Sequence, residues 1–249
     1  MRVVAIALAA SLTLSACVQT RQYADLQFTP PQGDYRLLVL RPDVSVGSVT
    51  TGGMVEPRAD WTEAARINLI AALKAQQAGR GGNARVLERR DGLPGVSAES
   101  VAELERLHQA VGSSIALHKY LGQTLPTKRG RGLEYTLGEE AVRFGQTTGF
   151  DYALFVHADD SFASTGRVAL ALLGVAGCFV GFCAPMGGGS QSAYASLVDL
   201  KTGEVVWFNV LQSQQGDIRK PDGAAQMVER LLGRMKPGKD VRRAIDARP

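Results

Sequence analysis

Short apolar runs alternate with segments of helical periodicity along this 249-residue chain, and this alternation constrains the fold more than any other feature. Residues 35–40 (YRLLVL) form an apolar run that stops before Pro42, which predicts a buried first strand. Asp60 and Glu63 have the spacing of a capping box, with Asp60 as the N-cap. A strand followed by an amphipathic helix is typical of an α/β domain. The apolar stripe of this helix is formed by Ala65, Leu69, Ala72 and Leu73.

The middle of the chain continues the alternation. Residues 43–58 contain three glycines and one proline, which predicts a long loop. Residues 84–88 predict a second short strand. Two further helices are expected to begin at Ser100 and at Thr136, and the second of them to end at Gly149.

The last third of the chain predicts a strand, a late β-hairpin and a closing helix. Residues 150–156 have the strongest strand pattern in the chain. Two apolar runs within residues 193–210 flank the turn Lys201-Thr202-Gly203, where Gly203 suits a left-handed backbone. A last helix is expected over residues 222–235, capped by Asp222. The predicted fold class is therefore α/β, a mixed sheet with flanking helices.

The chain begins with the features of an export signal. Arg2 supplies a positive charge, and the apolar run over residues 3–13 is too short to span a bilayer. Residues 14–17 (Leu-Ser-Ala-Cys) resemble the lipobox of bacterial lipoproteins. The resemblance implies that Cys17 is acylated at its thiol and its new amino group after residues 1–16 are removed. The alternative is an ordinary secretory leader in which Cys17 has no role.

A lipidated start also predicts location and layout. Three acyl chains would anchor a protein stably, and a Val at position 18, rather than Asp, goes with outer-membrane sorting in Gram-negative lipoproteins. The protein is therefore expected to be lipid-anchored in the outer membrane and to face the periplasm. Residues 17–33 are expected as a lipidated tether, 34–236 as an α/β periplasmic domain, and 237–249 as a polar basic tail.

Composition and charge exclude several classes of protein. The chain is 45% hydrophobic and 21% charged, as in an ordinary globular protein rather than a disordered one. Its formal charge of +4 falls to +3 when Arg2 is removed with the leader. This small excess, in a compartment without nucleic acid partners, is interpreted as surface charge with weak attraction for anionic lipid or cell-wall polymer.

The two remaining cysteines form a local pair. With Cys17 assigned to the lipid, Cys178 and Cys183 lie five residues apart in an oxidising compartment. A disulfide between them would need a loop or hairpin, because a helix places residues at this spacing on different faces. The alternative is two buried free thiols. The spacing matches no common zinc site.

The most unusual stretch is an uncharged apolar insertion between strands, over residues 168–186, followed by three glycines. As a helix it would be about 28 Å long, close to one hydrocarbon core. An exposed apolar patch of this size marks an interaction site. The interface is therefore expected within residues 168–189, at Val168, Leu172, Gly177, Phe179, Gly181 and Phe182.

Three structures are open for this insertion. It can be a buried or surface-packed apolar hairpin, closed or not by the two cysteines. It can be a helix that mediates self-association or lies against the membrane, with Gly177 and Gly181 at the spacing of a close-packing face. It can also be a transmembrane segment. Since a lipid would already hold the protein at the membrane, the insertion is free to act as an interface.

Four segments in this order resemble a group of bacterial lipoproteins. The group comprises the curli secretion-channel lipoprotein, the lipoprotein activators of penicillin-binding proteins and the amino-terminal domain of the Tol-system propeller protein. The resemblance implies the α/β fold rather than an activity. In the curli channel, membrane-spanning hairpins interrupt the corresponding sheet. The segments are YRLLVL (35–40), DWTEAARINLIAAL (60–73), GFDYALFVHADD (149–160) and ASLVDLKTGEVVWFNV (195–210).

Two groups of residues could be catalytic or metal-binding sites, or could have only a structural role. Lys201-Thr202-Gly203 matches a triplet of penicillin-recognising enzymes, but the chain has no Ser-x-x-Lys motif, so the triplet is expected to be only a turn. His157, Asp159 and Asp160 cluster at a strand end, where His157 and Asp159 would share a face. A metal site needs a third ligand, and His108 and His118 are expected on a distant helix. No metal, cofactor or catalytic residue is therefore predicted.

The sequence predicts a non-enzymatic assembly, accessory or secretion-associated lipoprotein. Its expected partners are the membrane, through the N-terminal lipid, and envelope proteins or further copies of itself, with no nucleic acid. One alternative is a regulator that docks on a cell-wall synthase through its helices. The other is a small hydrolase that uses His157 and Asp159.

Overall fold

The fold is an α/β domain in which all eight strands form one mixed sheet, as the sequence predicts. The computed structural model describes residues 19–24, 35–78, 83–120, 125, 132–178, 189–233 and 235. One helical turn of π type, Ala116–Tyr120, extends the second helix. The strands are β1 (Gln19–Ala24), β2 (Arg36–Val39), β3 (Asp43–Val49), β4 (Val55–Pro57), β5 (Asn83–Val86), β6 (Tyr152–Ala163), β7 (Gln191–Asp199) and β8 (Val205–Ser213). The helices are α1 (Ala59–Ala78), α2 (Ala98–Ile115), α3 (Glu139–Thr148), α4 (Thr165–Cys178) and α5 (Pro221–Leu232).

The sheet is built around β6, its longest strand. The strand order is β1-β8-β7-β6-β2-β5, and β3 pairs with both β6 and β4. Strands β2 and β3 run parallel to β6, and β5 runs parallel to β2, whereas β7, β8 and β1 follow as antiparallel neighbours. The mixed sheet therefore has a parallel side, formed by β2, β3, β5 and β6, and an antiparallel side in which a hairpin turn connects β7 to β8 and α4 lies between β6 and β7.

Strands β2 and β3 pair with successive halves of β6 and act as one bent strand. Val39 lies opposite Leu154, and Asp43 lies opposite His157. Four residues on one strand thus match three on the other, which is the count of a β-bulge. Pro42 lies in the bulge, where its lack of a backbone N–H breaks no ladder bond.

Each face of the sheet carries its own hydrophobic core. On one face, α1 and α5 cover β-strand side chains such as Leu154 and Trp207. On the other face, α2 and α3 cover Phe155 and Phe208. Two helices on each face make a three-layer domain, which fits the alternation of strands and helices.

The predicted loop over residues 43–58 is wrong, because this segment forms β3 and β4. Val44 and Val46 are buried in the core of the first face, and β3 pairs with β6 along seven residues. Gly47 permits a close approach of the two strands, since a Cβ there would lie 2.9 Å from the carbonyl oxygen of Glu56. The glycine that indicated a loop therefore reflects strand contact.

The segment expected as a tether also contains a strand. β1 pairs antiparallel with β8, with Gln19 opposite Gln212 and Ala24 opposite Trp207. Backbone pairing of this kind covers the edge that β8 would otherwise expose.

Several helix starts differ from the predicted caps. Asp60 lies inside α1 and binds Arg58 through two hydrogen bonds of 3.1–3.2 Å, and Glu63 pairs with Arg66 instead of reaching back. The N-cap of α2 is Ser97, whose Oγ accepts from the backbone N–H of Ser100 at 3.0 Å.

The third and last helices also begin differently, whereas the end of α3 is confirmed. Gly138, rather than Thr136, is the N-cap of α3, and the helix ends at Gly149 with a left-handed φ of 74°. α5 starts at Pro221 rather than at Asp222, because proline suits the first helical position, where no N–H bond is needed.

The late hairpin is confirmed, and its turn has a structural role. Gly203 has a φ of 76°, and the backbone N–H of Lys201 donates to the Asp199 carboxylate at 2.7 Å. A Cβ at position 203 would lie 2.5 Å from the carbonyl oxygen of Gly138. The Lys-Thr-Gly triplet therefore forms a tight turn against the start of α3.

Candidate functional site

We call the end of the sheet that contains Ala163, the last residue of β6, the distal end. Gln19, Gln212, Ser192, Asp159 and Ser45 pair with one another across five strands and mark one row near this end. β1 begins in this row, and β3 and β6 run past it. The turn between β3 and β4 and the whole of α4 therefore follow strands that leave the sheet at its distal end.

The apolar stretch leaves the sheet and returns to it at one place. The backbone N–H of Ser161 on β6 donates to the carbonyl of Ser190 at 2.9 Å, and the N–H of Ser190 donates to the Ser161 hydroxyl at 3.0 Å. A Cβ at Gly189 would collide with the Ser161 carbonyl, so glycine is needed where the chain re-enters. These hydrogen bonds between Ser161 and Ser190 therefore join β6 to the start of β7 at the base of the insertion.

The first turn of α4 is fixed to the β3–β4 turn. The N–H of Ser164 donates to the carbonyl of Val49 at 2.9 Å. A guanidinium nitrogen of Arg167 donates to the carbonyl of Thr50 at 3.3 Å. Two segments that are far apart in sequence therefore project together from the distal end.

Exposed apolar side chains concentrate on these two segments. Leu172 and Leu173 are 66% and 67% exposed, and Met54 beside the β3–β4 turn is 71% exposed. Among the residues that the structure describes, only one other large apolar side chain, Ile67 on α1, has similar exposure away from this region. We call the group the distal apolar surface; its members are Met54, Val55, Val168, Leu170, Leu172 and Leu173.

The structure accounts for part of the predicted interface. Val168 and Leu172 are exposed on α4, and Gly177 lies in the same helix. Residues 168–178 are helical and the side chains up to residue 173 are not buried, so a buried position is wrong for this part. A surface-packed hairpin depends on residues outside the described ones and stays a prediction. None of the helices in the described parts of the chain combines enough length and apolarity to cross a membrane.

Other predicted positions lie outside the described residues. Phe179, Gly181 and Phe182 are among them, as are Cys17 and Cys183. Cys178 is the last residue of α4. Lipidation of Cys17 and a bridge between the other two cysteines therefore stay predictions.

His157 forms the most polar cluster on the sheet. Its Nδ1 donates to Asp43 and its Nε2 donates to Asp159, each at 2.8 Å. Burial opposes a charge on the imidazole, but the hydrogen bonds to Asp159 and Asp43 outweigh it and raise the pKa of His157 to about 9. The ring is therefore an imidazolium at neutral pH, held between two carboxylates.

This arrangement does not support the hydrolase alternative. Both N–H groups of the imidazolium are bound to carboxylates, so no ring lone pair is available to take a proton or bind a metal. Among the described residues, no group of three or more His, Cys, Asp and Glu side chains could hold a metal ion. The prediction that His157 and Asp159 share a face is confirmed by their hydrogen bond.

His108 lies on a helix, α2, as predicted, but this helix is not distant from His157. Its ring stacks on Phe155 at 4.1 Å, and its Nε2 hydrogen-bonds to the hydroxyl of Ser196. Burial lowers the pKa of His108 to about 3, so it is neutral. Tyr194 joins the two histidines, because its ring stacks on His157 at 4.8 Å and tilts against His108 at 6.0 Å.

Asp160 lies on the face of the sheet opposite His157. It contacts neither the His157 cluster nor His108. Its carboxylate accepts from the Gln191 amide at 3.1 Å and from the backbone N–H of Ile218 at 3.4 Å. Burial raises its pKa to about 6. Asp160 therefore links the β6–β7 pair to the loop before α5.

A cleft of about 650 Å³ separates α2 from α3. Leu104 and Phe144 form a buried apolar floor, and Glu103, Glu140 and Arg143 stand at the rim. The cleft therefore combines an apolar floor with a charged rim.

Sequence reasoning missed Asp43 and Met54 because it assigned both to a loop. The alternation of Val44 and Val46 with polar residues was the signal for a strand, and the glycines obscured it. Nothing local indicates that Asp43 pairs with a histidine 114 residues away.

No family model and no curated protein sequence matches this chain. Among solved structures, the chain is similar to the PelC dodecamer from Paraburkholderia phytofirmans, at 11% identity and a TM-score of 0.36, over 86% of this chain and 97% of that chain. It is similar to the LpoB C-terminal domain from Salmonella enterica at 16% identity and a TM-score of 0.28, over 77% and 88% of the two chains. It is also similar to lipoprotein GNA1162 from Neisseria meningitidis at 12% identity and a TM-score of 0.32, over 81% and 97%. At these identities and TM-scores, the likenesses carry no argument about the family, activity or partners of this chain.

Proposed function

We propose that this protein is a non-enzymatic accessory lipoprotein of the bacterial envelope. It is anchored to the outer membrane through Cys17, faces the periplasm and acts by binding through the distal apolar surface. The observation that carries the proposal is the exposure of α4. Soluble monomers rarely expose a contiguous apolar patch of this kind without an interaction that covers it.

The chemistry of the described residues supports binding rather than catalysis. His157 and His108 are each committed to a structural partner, the first as an imidazolium and the second as a buried neutral ring. A hydrolase needs a base with a free lone pair beside a nucleophile. His157 does not meet that condition, because both of its ring nitrogens are bound to carboxylates. His108 lies beside the Ser196 hydroxyl, but both residues are buried in the core, away from any substrate.

The test replaces residues 168–187 with a short Gly-Ser turn, which the closed Ser161–Ser190 pair can accommodate. We expect this variant to fold and to lose its native oligomeric state or its resistance to extraction from membranes. The matched control is Ile67→Asp, which places a charge at the exposed apolar residue outside the distal apolar surface. If size exclusion in detergent, membrane extraction and cross-linked partners were all unchanged, the proposal would be wrong.

A second candidate function is a regulator that docks on a cell-wall synthase through its helices. The α2–α3 cleft favours it, because Leu104 and Phe144 provide an apolar floor between charged rims. Leu107→Glu, at the wall of the cleft, tests it. Loss of synthase activation in this variant, with normal behaviour of the 168–187 replacement, would select the second candidate. Loss of activity in a His157→Ala variant that still folds would instead support the hydrolase.

A further inference from the structure

After its first turn, the described part of α4 has apolar side chains that are exposed or partly exposed. Its described side chains from Val168 to Leu173 are all Val, Ala or Leu, and none of them is buried. A helix that is apolar all round is normally buried in a protein core or in a membrane. Some apolar phase must therefore cover α4 in the native setting.

The position of β1 in the sheet indicates which apolar phase lies nearest to α4. Gln19 lies opposite Gln212 at the distal end, and Cys17 precedes it by only two residues, a reach of about 7 Å. Because β1 begins near the distal end and runs away from it, this reach is the farthest that Cys17 can lie from the row of Gln19. An acyl chain on Cys17 would therefore enter the bilayer beside the end of the sheet from which α4 projects.

The distal apolar surface also lacks the charges that a protein or polymer partner would recognise. The sequence has no charged residue over residues 168–186 and none over residues 44–55, between Asp43 and Glu56. The basic residue at the start of α4, Arg167, donates to the carbonyl of Thr50. Apolar and hydroxyl side chains of this kind suit the boundary between lipid headgroups and acyl chains.

The 14 described residues of α4 span about 21 Å, which exceeds half of the hydrocarbon core of about 30 Å. This length is sufficient for the helix to enter one leaflet of the bilayer.

We propose that α4 inserts into the periplasmic leaflet of the membrane, with Leu172 and Leu173 among the acyl chains, and holds the distal end of the domain against the bilayer. This inference rests on the proposed function and names the lipid bilayer as the partner of the same surface. The β3–β4 turn, with Met54 at its side, would rest at the same depth, since α4 is fixed to it through Ser164 and Arg167.

The experiment measures vesicle binding without the acyl anchor. The chain from Val18 onward, without leader or acyl groups, is mixed with phosphatidylethanolamine–phosphatidylglycerol vesicles and with phosphatidylcholine vesicles and separated by flotation. We expect it to float with both, at low and at high salt, because the contact is apolar. The double variant Leu172→Asp/Leu173→Asp should bind about a hundredfold more weakly, since each buried leucine contributes about a factor of ten.

The matched control, Ile67→Asp, introduces one of the same charges at an exposed apolar residue on α1 and should float like the parent chain. Circular dichroism establishes that each variant is folded. Failure of the parent chain to float, or equal flotation of the leucine variant, would overturn the inference. If the parent chain formed oligomers without lipid and the leucine variant were monomeric, a second copy would be the partner. In that case the inference would be wrong while the proposed function stood.

Discussion

Asp43 and His157 lie directly opposite each other on β3 and β6, and the imidazole Nδ1 donates to the carboxylate at 2.8 Å. The same ring donates through Nε2 to Asp159, so one cation joins two strands and two carboxylates. The hydrogen bond from His157 also lowers the pKa of Asp43, although burial opposes this. The three side chains therefore form one coupled electrostatic unit beside the β2–β3 bulge.

The stability of the protein should depend on the charge of His157. Its folded-state pKa is about 9, above the ordinary value of 6.5, so the stabilisation is complete below pH 6.5 and is lost as the pH rises through 9. We expect the free energy of unfolding to fall by about 1–3 kcal/mol between pH 6.5 and pH 10. Urea denaturation at several pH values measures this.

His157→Gln is the control for that prediction. The variant should be less stable at pH 6.5 and should lose most of the decline above pH 8, since glutamine does not titrate. A parent chain with constant stability from pH 6.5 to pH 10 would show that His157 is neutral in the fold.

Gly112→Ala should destabilise the fold although it lies in a helix. A Cβ at position 112 would lie 2.6 Å from the ring of Tyr194, which stacks on His157 and Phe208. Overpacking of this kind costs about 1–3 kcal/mol, which exceeds the gain in helix propensity. Gly132→Ala, where a Cβ would meet nothing within 4 Å, should be neutral in the same thermal unfolding experiment.

The leucines of α4 should contribute little to folding. Leu172 and Leu173 are 66% and 67% exposed, so changing both to Asp should alter the free energy of unfolding by less than about 1 kcal/mol. Leu69→Ala, in the buried stripe of α1, should cost about 2–5 kcal/mol. Loss of stability in the double variant comparable with that of Leu69→Ala would mean that α4 is part of the core.

Cys17→Ser should abolish lipid modification. The parent protein is expected to incorporate labelled palmitate and to fractionate with the outer membrane, because two or more acyl chains hold a protein stably in a bilayer. The variant should incorporate no label. A labelled Cys17→Ser protein would show that the modification lies elsewhere, and Cys178→Ser serves as the matched control.

Local signals in the sequence were sufficient for several elements. The turn at Gly203 and the end of α3 at Gly149 were predicted because each needs a left-handed backbone, which glycine adopts at little cost. The core strand β6 and the stripe of α1 were predicted from apolar periodicity. The uncharged insertion was identified as an interaction segment from composition alone, and its first part is exposed.

Other features depend on contacts between distant segments. β1 has a polar sequence and pairs with β8 through its backbone. Because it lacks a hydrophobic pattern, the sequence does not predict this strand. The sequence predicts a loop where β3 lies because glycine is common in turns. Gly47 is instead needed for the close approach of β3 to β4. Pairing partners far apart in sequence are set by register, which local propensity does not encode.

By itself, the sequence determined the fold class, the hairpin turn, the i,i+2 relation of His157 and Asp159 and the apolar character of the segment after β6. Only the tertiary structure decided that Asp43 completes the histidine cluster and that His108 lies beside it. It also decided that β1 begins and α4 projects at the same end of the sheet, because strand order and direction, rather than any local pattern, set the end at which each segment lies.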